Sequence, residues 1–123
     1  MKILIADDDA ICRLVLQLTI EKFGHQCLVA EDGLHAWRLL QNTADVDVIV
    51  SDWMMPTIDG LELCRRVRQK ACSHYIYFIF LTALTDKERL LKGMQTGADY
   101  CLSKPLDSEQ LKVCLDVASQ VNS

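Results

Sequence analysis

Five short apolar runs recur along this chain, each followed by a longer amphipathic stretch. The runs are KILIA (2–6), QCLVA (26–30), VDVIVS (46–51), YIYFIFL (75–81) and YCLS (100–103). Each has the length and the Ile, Val or aromatic content of a strand. After the first run, Ile11, Leu14, Val15 and Leu18 repeat at three and four, the spacing of one helical face. Residues 34–41, 61–69, 87–94 and 108–121 read as four more helices. Asp59 before Gly60 and Asp86 before Lys87 are helix-start signals, Glu31 and Asp32 are turn chemistry leading into the second helix, and Gly24 and Gly97 stand where helices stop. The pattern is β-α repeated five times. Near-continuous apolar strands separated by helices imply a parallel sheet covered on both faces, an α/β fold in a single domain spanning 1–123. In such folds the ligand site lies beyond the carboxyl ends of the strands, at a topological switch point. Functional side chains are therefore expected immediately after the runs.

Polar groups stand at those places. Asp7, Asp8 and Asp9 follow the first run, Asp52 the third and Thr82 the fourth, and Lys104 ends the fifth. Taken singly, an Asp after a strand is most often a turn or cap residue, and Asp9 has that character. Taken together, the groups serve one reaction. Carboxylates gathered at one rim repel each other and raise each other's pKa unless a cation is present. A hard divalent ion removes that cost, and Mg²⁺ favours one or two carboxylates plus water and phosphate oxygens. A carboxylate beside Mg²⁺ is a competent nucleophile toward phosphorus, since Asp forms aspartyl phosphates. The charge developing on a transferring phosphoryl group is then met by cations and donors, for which Lys104 and the Thr82 hydroxyl are suited.

Composition excludes the main alternatives. Half of the 123 residues are hydrophobic and the net charge is only −4, which is too apolar and too weakly charged for disorder. The longest uncharged run, residues 71–85, is interrupted by Ser73 and His74 and is too short to span a bilayer, and MKILIADDD turns acidic too soon for a secretory signal. A pI near 5.2 argues against a nucleic-acid-binding surface. The aromatic run at 75–80 is accordingly read as core rather than as a base-stacking platform. Six cysteines (12, 27, 64, 72, 101 and 114) form no CxxC pair and lie near no histidine at zinc-finger spacing, so they read as reduced thiols of a cytoplasmic protein.

The segment VIVSDWMMPTIDG around Asp52 resembles the phosphoacceptor segment of the response-regulator receiver domains of two-component signalling, and LIADDD, FLTA and LSKPL resemble that family's other signatures in order and spacing. The resemblance covers essentially the whole chain. It implies a flavodoxin-like, doubly wound five-stranded parallel sheet of order 2-1-3-4-5 with helices on both faces. It implies that Asp52 accepts a phosphoryl group from a sensor histidine kinase or phosphotransfer protein. Asp8 and Asp52 would ligate Mg²⁺ directly, with the backbone carbonyl of Met54 as a further ligand and Asp7 acting through water. Thr82 matches the switch hydroxyl and Lys104 the phosphate-binding lysine, and the Lys104–Pro105 bond is expected to be cis. The implied role is a signalling switch whose only catalysis is its own modification. It would control an output domain or partner, and Val113, Val117 and Gln120 of the last helix hint at a dimer or partner surface. A polar tail at 119–123 reads as the start of a linker.

Departures from the family pattern shape further expectations. The family places Tyr or Phe three residues before the lysine; here that position is Cys101, so Thr82 is expected to move with altered coupling. Tyr100 faces the opposite side of the strand and does not replace the missing ring. The positions two residues after Asp52 and two after Thr82 are Met54 and Leu84, both apolar, which implies slow self-dephosphorylation. Trp53, adjoining Asp52, is expected at the mouth of the site as a shield, and Trp37 as partly exposed packing. Two other readings fit less well. A haloacid-dehalogenase-like phosphatase needs DxDxT, and Asp7 and Asp9 fit its start while Ile11 stands where Thr is required. A phosphate-independent pseudo-receiver is at odds with the intact Asp52, Asp8, Thr82 and Lys104.

Overall fold

Strands and helices alternate strictly along the chain: β1 (Lys2–Ala6), α1 (Ala10–Lys22), β2 (Gln26–Ala30), α2 (Gly33–Asn42), β3 (Val48–Ser51), α3 (Gly60–Gln69), β4 (Tyr77–Thr82), α4 (Lys87–Thr96), β5 (Tyr100–Ser103) and α5 (Ser108–Val121). This computed structural model describes residues 1–70, 72, 74–83 and 87–121, so the helix-start reading of Asp86 and the reading of Leu84 lie outside the described residues. The strands form one parallel sheet of order β2-β1-β3-β4-β5. The expected α/β architecture and strand order are both observed. Strands β3 and β4 begin two residues later than their apolar runs. Val46 and Ile76 are buried just ahead of the paired segments, so hydrophobicity alone overstates the ladder.

Local chemistry starts and stops the helices as the sequence suggests. Asp9, Asp32 and Asp59 are N-caps, their carboxylates accepting from the backbone N–H groups of Ile11 and Cys12, of His35, and of Glu62. Gly24 and Gly97 follow α1 and α4 at positive φ. Among the described residues no helix is long and apolar enough to cross a membrane.

The pleat divides the core in two. Ile3 and Ile5 of β1, Val48 and Val50 of β3, and Ile79 and Leu81 of β4 face α1 and α5, meeting Leu16, Ile20, Leu111 and Leu115. Leu4, Ile49, Phe78 and Phe80 face the other way, onto Ala36 and Leu40 of α2 and Leu63 and Val67 of α3. At about 25 cal/mol per Å² of apolar area, these two layers supply the main driving force for folding.

Helix α1 departs from a simple reading of its period. The face carrying Ile11, Leu14, Val15 and Leu18 is real, but it points to solvent, with exposures from 44% to 74%. The residues that anchor α1 to the sheet are Leu16 and Ile20, a second and sparser stripe.

Candidate functional site

The parallel register brings the rim residues together. Ala6 pairs with both Ala30 and Ser51, so Asp7 and Asp52 leave adjacent strands at the same level. Backbone bonds continue past the strand ends: Asp52 N–H donates to the carbonyl of Ala6 at 2.8 Å, and Asp7 N–H to that of Ala30 at 3.3 Å. Thr82 pairs with Ser103, and its carbonyl accepts from the N–H of Lys104 at 3.0 Å, so the last two strands deliver their polar residues to the same rim. Thr82 is the final residue of β4 rather than the first after it, and it is buried.

The side chains converge on one point. Asp7, Asp8 and Asp52 each offer a carboxylate oxygen within 4.8 Å of the other two. Lys104 Nζ lies 2.8 Å from Asp52 Oδ2 and 3.0 Å from Asp7 Oδ2. The other oxygen of Asp52 accepts from the backbone N–H of Trp53 at 2.6 Å, and Asp7 Oδ1 accepts from the N–H of Asp9 at 2.9 Å. Asp7 is 1% exposed, yet among the described residues its Oδ2 has no hydrogen-bonding partner; its contact with Lys104 is a close charge pair without hydrogen-bond geometry. Asp8 is exposed at the mouth.

Electrostatics follow from that geometry. Burial is the main influence on Asp7 and pushes its carboxyl above the ordinary aspartate value; the Asp9 N–H and Lys104 oppose the rise, and the Asp52 charge adds to it. Burial works against the Lys104 ammonium, but Asp52 and Asp7 together outweigh it and hold its pKa above that of an ordinary lysine. Three carboxylates against one ammonium leave the site with excess negative charge, and one buried carboxylate oxygen is orphaned. That donor set, all oxygen and partly open to solvent, fits a hard divalent cation such as Mg²⁺.

Asp9 is not part of this cluster. Its Oδ1 is engaged by the N–H groups of Ile11 and Cys12, which removes the second aspartate that a DxDxT phosphatase requires. The loop after Asp52 is closed by a tight approach of α3. A Cβ at Gly60 would sit 2.2 Å from the carbonyl oxygen of Asp52, so no other residue lets α3 begin there. The Lys104–Pro105 bond is cis, as expected.

A family model described as the response regulator receiver domain matches residues 3–116. The chain belongs to the response regulator receiver family. This receiver domain is 32% identical over 123 residues to the chemotaxis protein CheY1 of Helicobacter pylori, covering 99% of each. It is 34% identical over 120 residues to the sensor histidine kinase RcsC of Salmonella typhi, a match of 98% of this chain and 12% of that kinase. Its fold matches the receiver domain of the Francisella response regulator 1452 with a TM-score of 0.87 at 34% identity, over 97% of this chain and 96% of the other.

Several neighbours of the site differ from expectation or sharpen it. Trp53 does not shield the mouth of this receiver domain. It is 5% exposed and turned into the core, its ring 4.9 Å from that of Phe80 and packed on α4 at Gly93, where a Cβ would lie 2.7 Å from the indole. Burial of so large an apolar surface outweighs any gain from covering a polar site. Cys101 packs on the same layer, its Sγ 3.6 Å from Met94 Sδ, while Tyr100 lies across the sheet against α5 and is half exposed. The pleat thus keeps Tyr100 from taking the place of the missing ring. Met54, two residues past Asp52, projects its apolar side chain into solvent at 59% exposure. Sequence reading missed Arg13, whose Nη1 donates to the backbone carbonyl of Asp7 at 2.8 Å. A lone Arg in the first turns of an exposed helix carries no signal that it reaches back to a strand end.

Proposed function

We propose that this receiver domain, spanning 1–123, is a phosphorylation switch in which Asp52 accepts a phosphoryl group from the phosphohistidine of a sensor histidine kinase or phosphotransfer protein. The observation that carries the reading is Lys104 Nζ set between Asp52 and Asp7, with Asp8 completing a trio of carboxylates at one strand rim. In the transfer, an Asp52 oxygen forms the new O–P bond as the donor's N–P bond breaks, and the electron pair leaves with the imidazole, which takes up a proton. Asp8 and Asp52 would hold Mg²⁺ directly, with the Met54 carbonyl as a further ligand and Asp7 through water; bound there, the ion supplies charge neutralisation for the phosphoryl oxygens. Lys104 supplies a fixed cation to the phosphoryl group, and its raised pKa keeps it charged at neutral pH. Thr82 stands at the end of β4 to donate its hydroxyl to the new phosphoryl oxygens. The chemistry is confined to the domain's own modification.

The exposed α1 stripe supports a protein phosphodonor. Ile11 and Val15 border an apolar groove of about 190 Å³ whose other walls include Lys104, Pro105 and Leu106, so an apolar helix seated there ends at the reactive rim. The read-out passes to an output domain or partner, with Cys101 replacing the usual aromatic. Val113 and Val117 of α5 stand exposed on a separate face, available to a partner or to a phosphorylation-dependent homodimer.

The deciding experiment incubates the native chain and Asp52→Asn with acetyl phosphate, with Mg²⁺ and with EDTA, and records intact mass and oligomeric state. One phosphoryl group is expected on the native chain with Mg²⁺ only. An equal adduct on Asp52→Asn, or in EDTA, overturns the reading.

A further inference from the structure

The groups that form the site differ in how they are held. Asp52 is tied by the Trp53 N–H and by Lys104, and Asp7 by the Asp9 N–H. Asp8 has no such restraint: among the described residues its carboxylate takes part in no hydrogen bond or ion pair, and it is exposed. Its placement therefore comes from the backbone alone. The peptide linking Asp7 to Asp8 is a rigid plane, so the direction of the Asp7 carbonyl fixes the direction of the Asp8 N–H and the point from which the Asp8 side chain departs. That carbonyl accepts from Arg13 Nη1 at 2.8 Å, across six residues. Arg13 is itself anchored, its own N–H donating to the carbonyl of Asp9 at 3.0 Å as α1 begins, and its side chain is half buried.

We propose that Arg13 is a positioning residue for the acidic pair: by clamping the Asp7 carbonyl it orients Asp8 and thereby sets the affinity of the rim for a divalent cation. This rests on the reading of the site given above. Outer-shell partners that orient a ligand act in this way, and losing one typically weakens metal binding about tenfold or more. Positioning and simple charge repulsion act on cation affinity with opposite signs. A guanidinium bound to the Asp7 backbone carries positive charge toward the rim and repels an incoming cation, so if only its charge mattered, removing it would tighten binding. If positioning dominates, removal loosens it.

The test is a calorimetric titration of the full chain with MgCl₂ alone, comparing native, Arg13→Met and Arg13→Lys. Met keeps the stem and the helix propensity while removing donor and charge; Lys keeps both. Thermal unfolding in EDTA establishes that each variant is folded. Mg²⁺ affinity is expected to fall about tenfold in Arg13→Met and to stay close to native in Arg13→Lys. Acetyl phosphate labelling of Arg13→Met is expected to need more Mg²⁺ yet to approach the native rate at saturation. Native or tighter Mg²⁺ binding by Arg13→Met overturns the inference. If Arg13→Met fails to fold, Arg13→Leu, which also lacks donor and charge, takes its place, with the same expected sign and the same overturning result. Absence of Mg²⁺ binding by the native chain is a separate outcome, and it overturns the receiver reading of the rim itself.

Discussion

Asp7 shows how a single side chain couples this site to stability. The folded chain holds its proton more tightly than an unfolded chain does, chiefly through burial. The stability linked to protonated Asp7 is therefore present below the ordinary aspartate pKa and is lost as pH rises through the raised value. As pH rises through that value, the metal-free protein loses this contribution and bears the cost of a buried carboxylate. Asp7→Asn is expected to raise the thermal midpoint by a few degrees in EDTA at pH 7, and to lose most of the stabilisation that Mg²⁺ confers on the native chain; a lower midpoint in EDTA would contradict this. Met54 belongs to the same scale. Its exposed thioether cannot orient an attacking water, so Met54→Asn is expected to shorten the lifetime of the Asp52 phosphate several-fold, read as loss of adduct mass after removal of the donor. Both residues could be singled out from the sequence, because what matters is their chemistry and their distance along the chain from Asp52. Arg13 could not, since its partner is fixed by how α1 folds back on the end of β1.

Between elements, one close fit lies where the loop after β3 meets α4. Gly93 gives the Trp53 ring room, and Trp53 in turn packs on Phe80. An added methyl at position 93 gains about 1 kcal/mol of helix propensity but overpacks a buried aromatic pair, which costs about 1–3 kcal/mol. Overpacking wins, because the added methyl would meet both rings at once, Trp53 at 2.7 Å and Phe80 at 3.1 Å. Gly93→Ala is expected to destabilise the fold by about 1 kcal/mol, and adding Trp53→Leu should recover part of that loss rather than compound it. Denaturant unfolding of the two single variants and the double variant measures the coupling, and strict additivity would rule out the contact as its source. A second tie between elements lies near the opposite end of β4, where Asp99 accepts from Arg68, from the Tyr75 hydroxyl and from the N–H of Phe78. Burial, with Asp99 next in effect, pushes Tyr75 up to about 12. The aromatic run at 75–80 is therefore mostly core, with Tyr75 at its edge serving a polar network instead.

For the molecule as a whole, binding at the rim and folding are linked. A cation that binds only the folded chain adds about 2.7 kcal/mol when present at a hundredfold its dissociation constant. The thermal midpoint is expected to climb with Mg²⁺ at neutral pH and to climb less at acidic pH, where a proton on Asp7 competes with the ion; a shift independent of pH, or one kept by Asp8→Asn, would contradict the assignment. Five apolar runs, three aspartate caps and polar residues at the strand ends are local features, written in the order of the chain. They were enough to determine a parallel α/β sheet, and they picked out the carboxylates, the hydroxyl and the lysine that meet at one rim or stand at the end of its strands. Tertiary structure alone decided that the Ile11–Leu18 stripe faces water, that Trp53 turns inward, and that Arg13 reaches back to Asp7. The reason is physical. Periodicity reveals that an element has faces, but which face is buried depends on the free energy of packing against elements far away in sequence, and that is settled only when the layers assemble.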